Sequence, residues 1–228
     1  MKKIGIITIL VLFVFANCSI LTIRPTKTGQ ILDTDIFAIK NSHVSVYFFR
    51  TDNGYIMIDA GINAKKLEKS LQEIAINAND VKLIFLTHSD RDHVNGLTLF
   101  QNATIYMSED ELPLANGTIN RNRRRTNAMP EGIDINDIIL LSNGQIITFG
   151  ETTIEPIKAP GHTPGSMLYL INERYLFTGD AFRINKNKIM VGAFTMDKEV
   201  AGKTVEQLND RINNSSIVLP SHYRFRVN

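Results

Sequence analysis

From Ile31 onward the chain alternates between short apolar runs and turn residues. Ile31–Ile39, Val44–Arg50 and Tyr55–Asp59 read as strands, with Thr51-Asp52-Asn53-Gly54 as the hairpin turn between the last two. Asn63–Ile76 places Leu67, Leu71, Ile74 and Ala75 on one helical face and Lys65, Lys66 and Lys69 elsewhere. Val81–Leu86 is a continuous, β-branched-rich run and reads as a buried strand. A short helix at Val94–Phe100 and a strand at Ala103–Tyr106 follow. The polar stretch Asn116–Asn136 reads as a long loop holding Arg121, Arg123, Arg124 and Arg125; loops of that length in compact domains are commonly functional or disordered. Strands are expected at Ile138–Leu141, Gln145–Phe149, Thr152–Lys158, Met167–Ile171 and Tyr175–Thr178, then a helix at Lys198–Asn213 and a strand at Ile217–Pro220. Strands lead each half and helices are interspersed in both, which predicts an α/β domain of two sheets with helices on their outer faces.

The segment before this pattern has a different character. Lys2 and Lys3 precede an apolar run from Ile4 to Ala16, shorter than the roughly 20 residues of a membrane-spanning helix. A positive start, a short apolar stretch and small residues after it describe a secretory signal over residues 1–17. Cys18, the single cysteine, sits where such a signal is cut and resembles a bacterial lipobox cysteine, although Asn17 and Phe15 depart from that pattern. The expectation is a lipid-anchored or secreted protein of the bacterial cell envelope, with a linker at 18–30 and one domain at 31–228. Without the two signal lysines the 25 basic residues fall to 23, matching 23 acidic ones. That balance gives no reason to expect nucleic acid as a partner; the membrane contact expected is the lipid on Cys18, and the oligomeric state is open.

The chemistry concentrates at strand ends. The strand ending at Leu86 runs into Thr87-His88-Ser89-Asp90-Arg91-Asp92-His93, four candidate metal ligands in six positions. Alternate residues of an extended turn (88, 90, 92) point the same way, and a tight loop brings His93 round. Imidazole and carboxylate are ligands that zinc, iron and manganese accept; the competing reading is a polar loop in which Asp92 caps the next helix. Ala159-Pro160-Gly161-His162-Thr163-Pro164-Gly165-Ser166, Thr178-Gly179-Asp180 and Pro220-Ser221-His222 each place one more ligand type at a strand end. The fifth histidine, His43, precedes a strand and reads as structural or as a rim residue.

In order and spacing these segments resemble the metallo-β-lactamase fold superfamily, whose pattern is T-H-x-H-x-D-H, then G-H-T, G-D and a last histidine. Ile58-Asp59-Ala60-Gly61 is similar to the early Asp-Gly turn of that family, in which the Asp supports the metal loop. The resemblance implies an αββα four-layer sandwich of two mixed β-sheets flanked by helices. It also implies two divalent metal ions, zinc first and iron or manganese as alternatives. His88, Asp90 and His162 would hold one, Asp92, His93 and His222 the other, and Asp180 would bridge them. Asp90 departs from the family, which mostly has histidine there; the carboxylate adds negative charge and a harder ligand.

The implied reaction is hydrolysis by a hydroxide shared between the metals, with Asp92 and Tyr223 as further catalytic residues. Arg224, Arg183 and the Arg121–Arg125 loop are candidates for anion contact. The expected substrate is a small-molecule ester, thioester or lactone. A phosphodiester, a β-lactam and a non-catalytic metal protein are the alternatives. β-Lactam ranks lower because lactamases of the family carry cysteine or serine where this chain has Asp180.

Overall fold

The computed structural model describes residues 23–121, 129–185, 188–192 and 194–228. The expected signal, Cys18, and Arg123, Arg124 and Arg125 lie outside the described residues. No helix among the described residues is long and apolar enough to cross a membrane.

Seven strands form the first sheet in sequential order: β1 (Gly29–Gln30), β2 (Ile36–Asn41), β3 (Val44–Thr51), β4 (Gly54–Ile58), β5 (Val81–Phe85), β6 (Thr104–Ser108) and β7 (Ile139–Leu141). The first four pair antiparallel, and β4 through β7 pair parallel. The second sheet holds β8 (Ile147–Phe149), β9 (Thr152–Lys158), β10 (Met167–Ile171) and β11 (Tyr175–Gly179). A separate ribbon, β12 (Phe182–Asn185) and β13 (Lys188–Val191), interrupts it. Then β14 (Ile217–Pro220) pairs parallel with β11, and β15 (Arg226–Val227) closes the edge. The helices are α1 (Ala64–Glu73), α2 (Arg91–Val94), α3 (Leu112–Ala115) and α4 (Lys198–Asn214). Two mixed sheets with helices outside make the αββα sandwich that the resemblance implied.

The layers follow from alternation along the strands. In β3, Tyr47 and Phe49 enter the core between the sheets, with Phe85, Tyr169, Phe177 and Leu219. Val46 and Phe48 face the opposite way, packing with Leu67 and Leu71 of α1. In the second sheet Leu168, Leu176 and Val218 turn outward, with Ile212 of α4. Strands buried on both faces read as continuous apolar runs, which is how Val81–Leu86 looks. Asn63 caps α1 through Lys66 N, and Asp197 caps α4 through the N–H groups of Glu199 and Val200.

Some boundaries move. Ile31–Ile39 is no single strand: Leu32 takes a φ of 50°, a turn intervenes, and β2 starts at Ile36. Residues 24–30, expected as linker, pack on the domain; Thr26 N bonds Ser45 Oγ at 2.9 Å, and β1 pairs with β2. The helix expected from Val94 begins at Arg91, so Asp92 and His93 lie in its first turn rather than in an extended one.

Candidate metal centre

The ligand-type residues converge where strands of both sheets end, the usual place for a site in α/β sheets. Their ring nitrogens and carboxylate oxygens form two clusters, His88–His162–Asp180 and Asp92–His93–His222, each with its donor atoms within 4.8 Å of one another. Asp180 reaches both. Its Oδ2 lies 3.6 Å from His162 Nε2 and 3.0 Å from His222 Nε2, and its Oδ1 lies 3.6 Å from His93 Nε2. Asp92 Oδ2 is 3.3 Å from His222 Nε2 and 3.8 Å from His93 Nε2. Asp90 Oδ2 sits 3.5 Å from His88 Nε2 and 3.3 Å from His162 Nε2.

These separations fit metal coordination. Zinc bonds of about 2.0–2.1 Å at tetrahedral angles put neighbouring donors roughly 3.3 Å apart. The buried His88 Nε2, His93 Nε2 and Asp180 Oδ1 have no hydrogen-bond partner, and such atoms require an explanation that a metal ion supplies. Two clusters sharing one carboxylate are the arrangement of a dinuclear metal-dependent hydrolase.

The supporting groups are carboxylates buried behind the ligands. Asp59, at the end of β4 with φ 58°, accepts from Thr87 N (2.8 Å), Thr87 Oγ1 (2.9 Å to Oδ2) and Ser221 Oγ (3.4 Å), and bonds His93 Nδ1 at 2.8 Å. That contact turns His93 Nε2 toward the cluster, the role the Asp-Gly turn implied. Glu111, fully buried, accepts from Ser89 N (2.8 Å), Ser89 Oγ (2.7 Å), Thr163 Oγ1 (2.7 Å) and Gly165 N (3.1 Å). It ties the loop carrying His88 and Asp90 to the loop carrying His162. Gly165 is glycine because a Cβ there would collide with the Glu111 backbone. Gly179 has a φ of 51°, and a Cβ on it would come within 2.5 Å of Thr87 Oγ1.

Segments far apart in the sequence meet at the site. His222 Nδ1 donates to His43 O at 2.6 Å, Ser45 N to Ser221 O at 2.7 Å and Tyr47 Oη to Pro220 O at 2.7 Å. His43 is more than a rim residue: its ring stacks on His222 with centroids 5.5 Å apart, and its Nε2 lies 3.1 Å from Asp92 Oδ2. Tyr223 is half-buried, and burial pushes its phenol up while the charge and hydrogen bond of Arg183 oppose that. Arg224 is exposed.

Arg121, the arginine of its cluster among the described residues, enters the centre. Its Nε lies 2.8 Å from Asp90 Oδ2, and its side chain is 6% exposed. Its two terminal nitrogens donate to His162 O at 2.7 Å and Phe194 O at 2.8 Å, and the second also lies 2.8 Å from His162 Nε2.

The electrostatics follow from burying acids among imidazoles. Burial opposes the charge on Asp90, yet the close rings of His162 and His88 and the charges of His88 and Arg121 hold it well below the usual carboxylate range. Burial likewise opposes charge on Asp180 and Asp92, and the facing histidines overcome it and lower both. Burial works against protonating His222, but Asp180 and Asp92 push it up to about 10. His93 is raised in the same way by Asp59, Asp180 and Asp92. Burial brings His162 down to about 4 despite Asp90.

Comparison with known proteins agrees with this geometry. Residues 40–222 match the metallo-beta-lactamase superfamily, and the chain belongs to that family. It is similar to the probable polyketide biosynthesis zinc-dependent hydrolase PksB of Bacillus subtilis, 32% identical over 55% of this chain and 48% of PksB. BaeB of Bacillus velezensis, with the same description, is 31% identical over 58% and 51% of the two chains. The chain thus spans about half the length of these two relatives. Among solved structures it superposes on MEM-A1, a subclass B3 metallo-beta-lactamase from a soil metagenome library, with a TM-score of 0.68 and 16% identity over 87% of this chain and 80% of that one. A B3 metallo-beta-lactamase with an active-site glutamic acid gives 0.69 and 17% over 90% and 84%. These two likenesses establish the fold.

Proposed function

We propose that the protein is a metal-dependent hydrolase of small-molecule esters, thioesters or lactones. The observation that carries the hydrolase reading is the convergence of two donor clusters on the shared Asp180 carboxylate. His88, His162, Asp90 and Asp180 would hold one divalent ion, and Asp92, His93, His222 and Asp180 the other; zinc is favoured, in keeping with the description of PksB. Bound there, the ions would activate water as a nucleophile and polarise the scissile carbonyl.

The chain's own residues do the rest. Asp92, braced by His43, is placed to accept a hydrogen bond from the attacking water. Tyr223 and Arg183, paired beside Asp180, are placed to hold the polar end of the substrate. Phe194 is 88% exposed and Met196 40% exposed, on the segment whose backbone bonds Arg121 and His162. An apolar lip there suits an acyl chain better than a phosphodiester. A panel of thioesters, lactones, phosphodiesters and β-lactams tests the reading: turnover of the acyl compounds, lost on chelation, is expected. Exclusive turnover of a β-lactam or phosphodiester refutes the substrate class, and no metal-dependent turnover refutes the hydrolase.

We also propose that the protein acts in the bacterial cell envelope through a lipid on Cys18, a reading that rests on the sequence of residues 1–18. Cys18→Ala should abolish fatty-acid labelling in cells, and unchanged labelling would refute it.

A further inference from the structure

Arg121 treats the two halves of the centre unequally. Among the described residues, Asp92 and Asp180 form ion pairs with histidines alone. Asp90 has a guanidinium on it, with Arg121 Nε 2.8 Å from Oδ2. The same guanidinium lies 2.8 Å from His162 Nε2. Arginine only donates hydrogen bonds, so at this contact His162 Nε2 is the acceptor. An imidazole nitrogen has one lone pair in the ring plane, and a metal ion needs that same pair. A carboxylate oxygen such as Asp90 Oδ2 can serve both partners; His162 Nε2 cannot.

The guanidinium is also built into place rather than resting there. Its remaining N–H groups reach two backbone carbonyls, His162 O at 2.7 Å and Phe194 O at 2.8 Å, in a nearly fully buried setting. Two carbonyls, a carboxylate and an imidazole match the planar fork of donors that arginine presents and lysine does not.

We propose that Arg121 is a tethered cation that competes with a metal ion for His162, so that the two halves of the centre fill in sequence. The Asp92–His93–His222 half loads first. The His88–His162 half loads only when the ion displaces Arg121 from His162 Nε2, which makes occupancy of that half responsive to metal supply. This rests on the two-metal reading of the site and goes beyond it by ranking the two positions.

Zinc titration of the metal-stripped full chain against a competing chelator, with stoichiometry from elemental analysis, tests it. Wild type should show two unequal dissociation constants, and His162→Ala should delete the weaker one. Arg121→Gln should tighten the weaker constant by about tenfold or more, the scale on which groups behind a metal ligand act, and leave the tighter one in place. Arg121→Lys keeps the charge but loses the fork, and should tighten the weaker constant by a smaller factor; it serves if the Gln variant does not fold by circular dichroism. Two equal constants in wild type, or a weaker constant that is unchanged or weakened in the arginine variants, overturns the role of Arg121 and leaves the two-metal reading standing. No tight zinc in any of the proteins overturns both.

Discussion

Removing Glu111 should loosen the metal centre and destabilise the fold, in a graded way that the hydrogen bonds dictate. Its carboxylate accepts from two hydroxyls and two backbone N–H groups. In Glu111→Ala the hydroxyls can re-aim; Thr163 Oγ1 and Ser166 Oγ already lie 2.8 Å apart. The N–H groups of Ser89 and Gly165 cannot turn. A buried donor left without a partner costs about 1–3 kcal/mol, so the two together cost about 2–6 kcal/mol. Glu111→Gln keeps one acceptor oxygen, which can serve the Ser89 pair. Its NH2 then faces Gly165 N–H, and one orphaned donor remains, for about 1–3 kcal/mol. Urea unfolding of the three proteins with metal bound should therefore rank wild type above Gln above Ala. Zinc affinity should fall about 10- to 100-fold in the Ala variant, because the two ligand loops are no longer pinned together. Both variants within about 1 kcal/mol of wild type, or a Gln variant as unstable as Ala, would refute this account.

Two further outcomes are expected. Asp180→Ala should remove turnover and lower the bound-metal stoichiometry while circular dichroism keeps the native spectrum; activity within about tenfold of wild type would show that this carboxylate does not join the clusters. The metal-free protein should lose stability on the alkaline side, since a histidine raised from 6.5 to about 10 in the folded state contributes stability that is complete below 6.5 and gone above 10. Thermal unfolding followed from pH 6 to 10 should show that decline without metal and a weaker one with metal bound; a flat metal-free profile would contradict the His222–Asp180 pairing.

The ligand positions were legible because they follow apolar strands and His88, Asp90, His162, Asp180 and His222 each have a glycine or serine beside them; Asp92 and His93 were legible as part of the same loop as His88. The supporting residues lacked that advantage. Glu111 lies in Glu109-Asp110-Glu111, which reads as solvated surface; the close approach of Gly165 buries it, and a partner 54 positions away leaves no local trace. His43 meets Asp92 because the β2–β3 turn lies against the end of β14, also a long-range matter. The β12–β13 ribbon did carry a signal, strict alternation in Phe182-Arg183-Ile184-Asn185, masked by its shortness. Composition could not show that Arg121 enters the centre, because its placement depends on carbonyl groups of distant loops.

The closure of the site by residues 217–222 on the β2–β3 hairpin bears on when the centre can exist during synthesis. His222 bonds a carbonyl 179 positions earlier, and Tyr47 bonds one 173 positions later. Contacts of that span form only after the intervening chain is ordered, which makes them slow. At about 5–20 residues per second on the ribosome, His43 precedes His222 by on the order of ten seconds or more. Through the later part of that interval the nascent chain carries His88, Asp90, Asp92 and His93 but not the histidine that completes the Asp92–His93 cluster. The Asp92–His93–His222 cluster therefore cannot be complete until His222 has been made, long after its other two members.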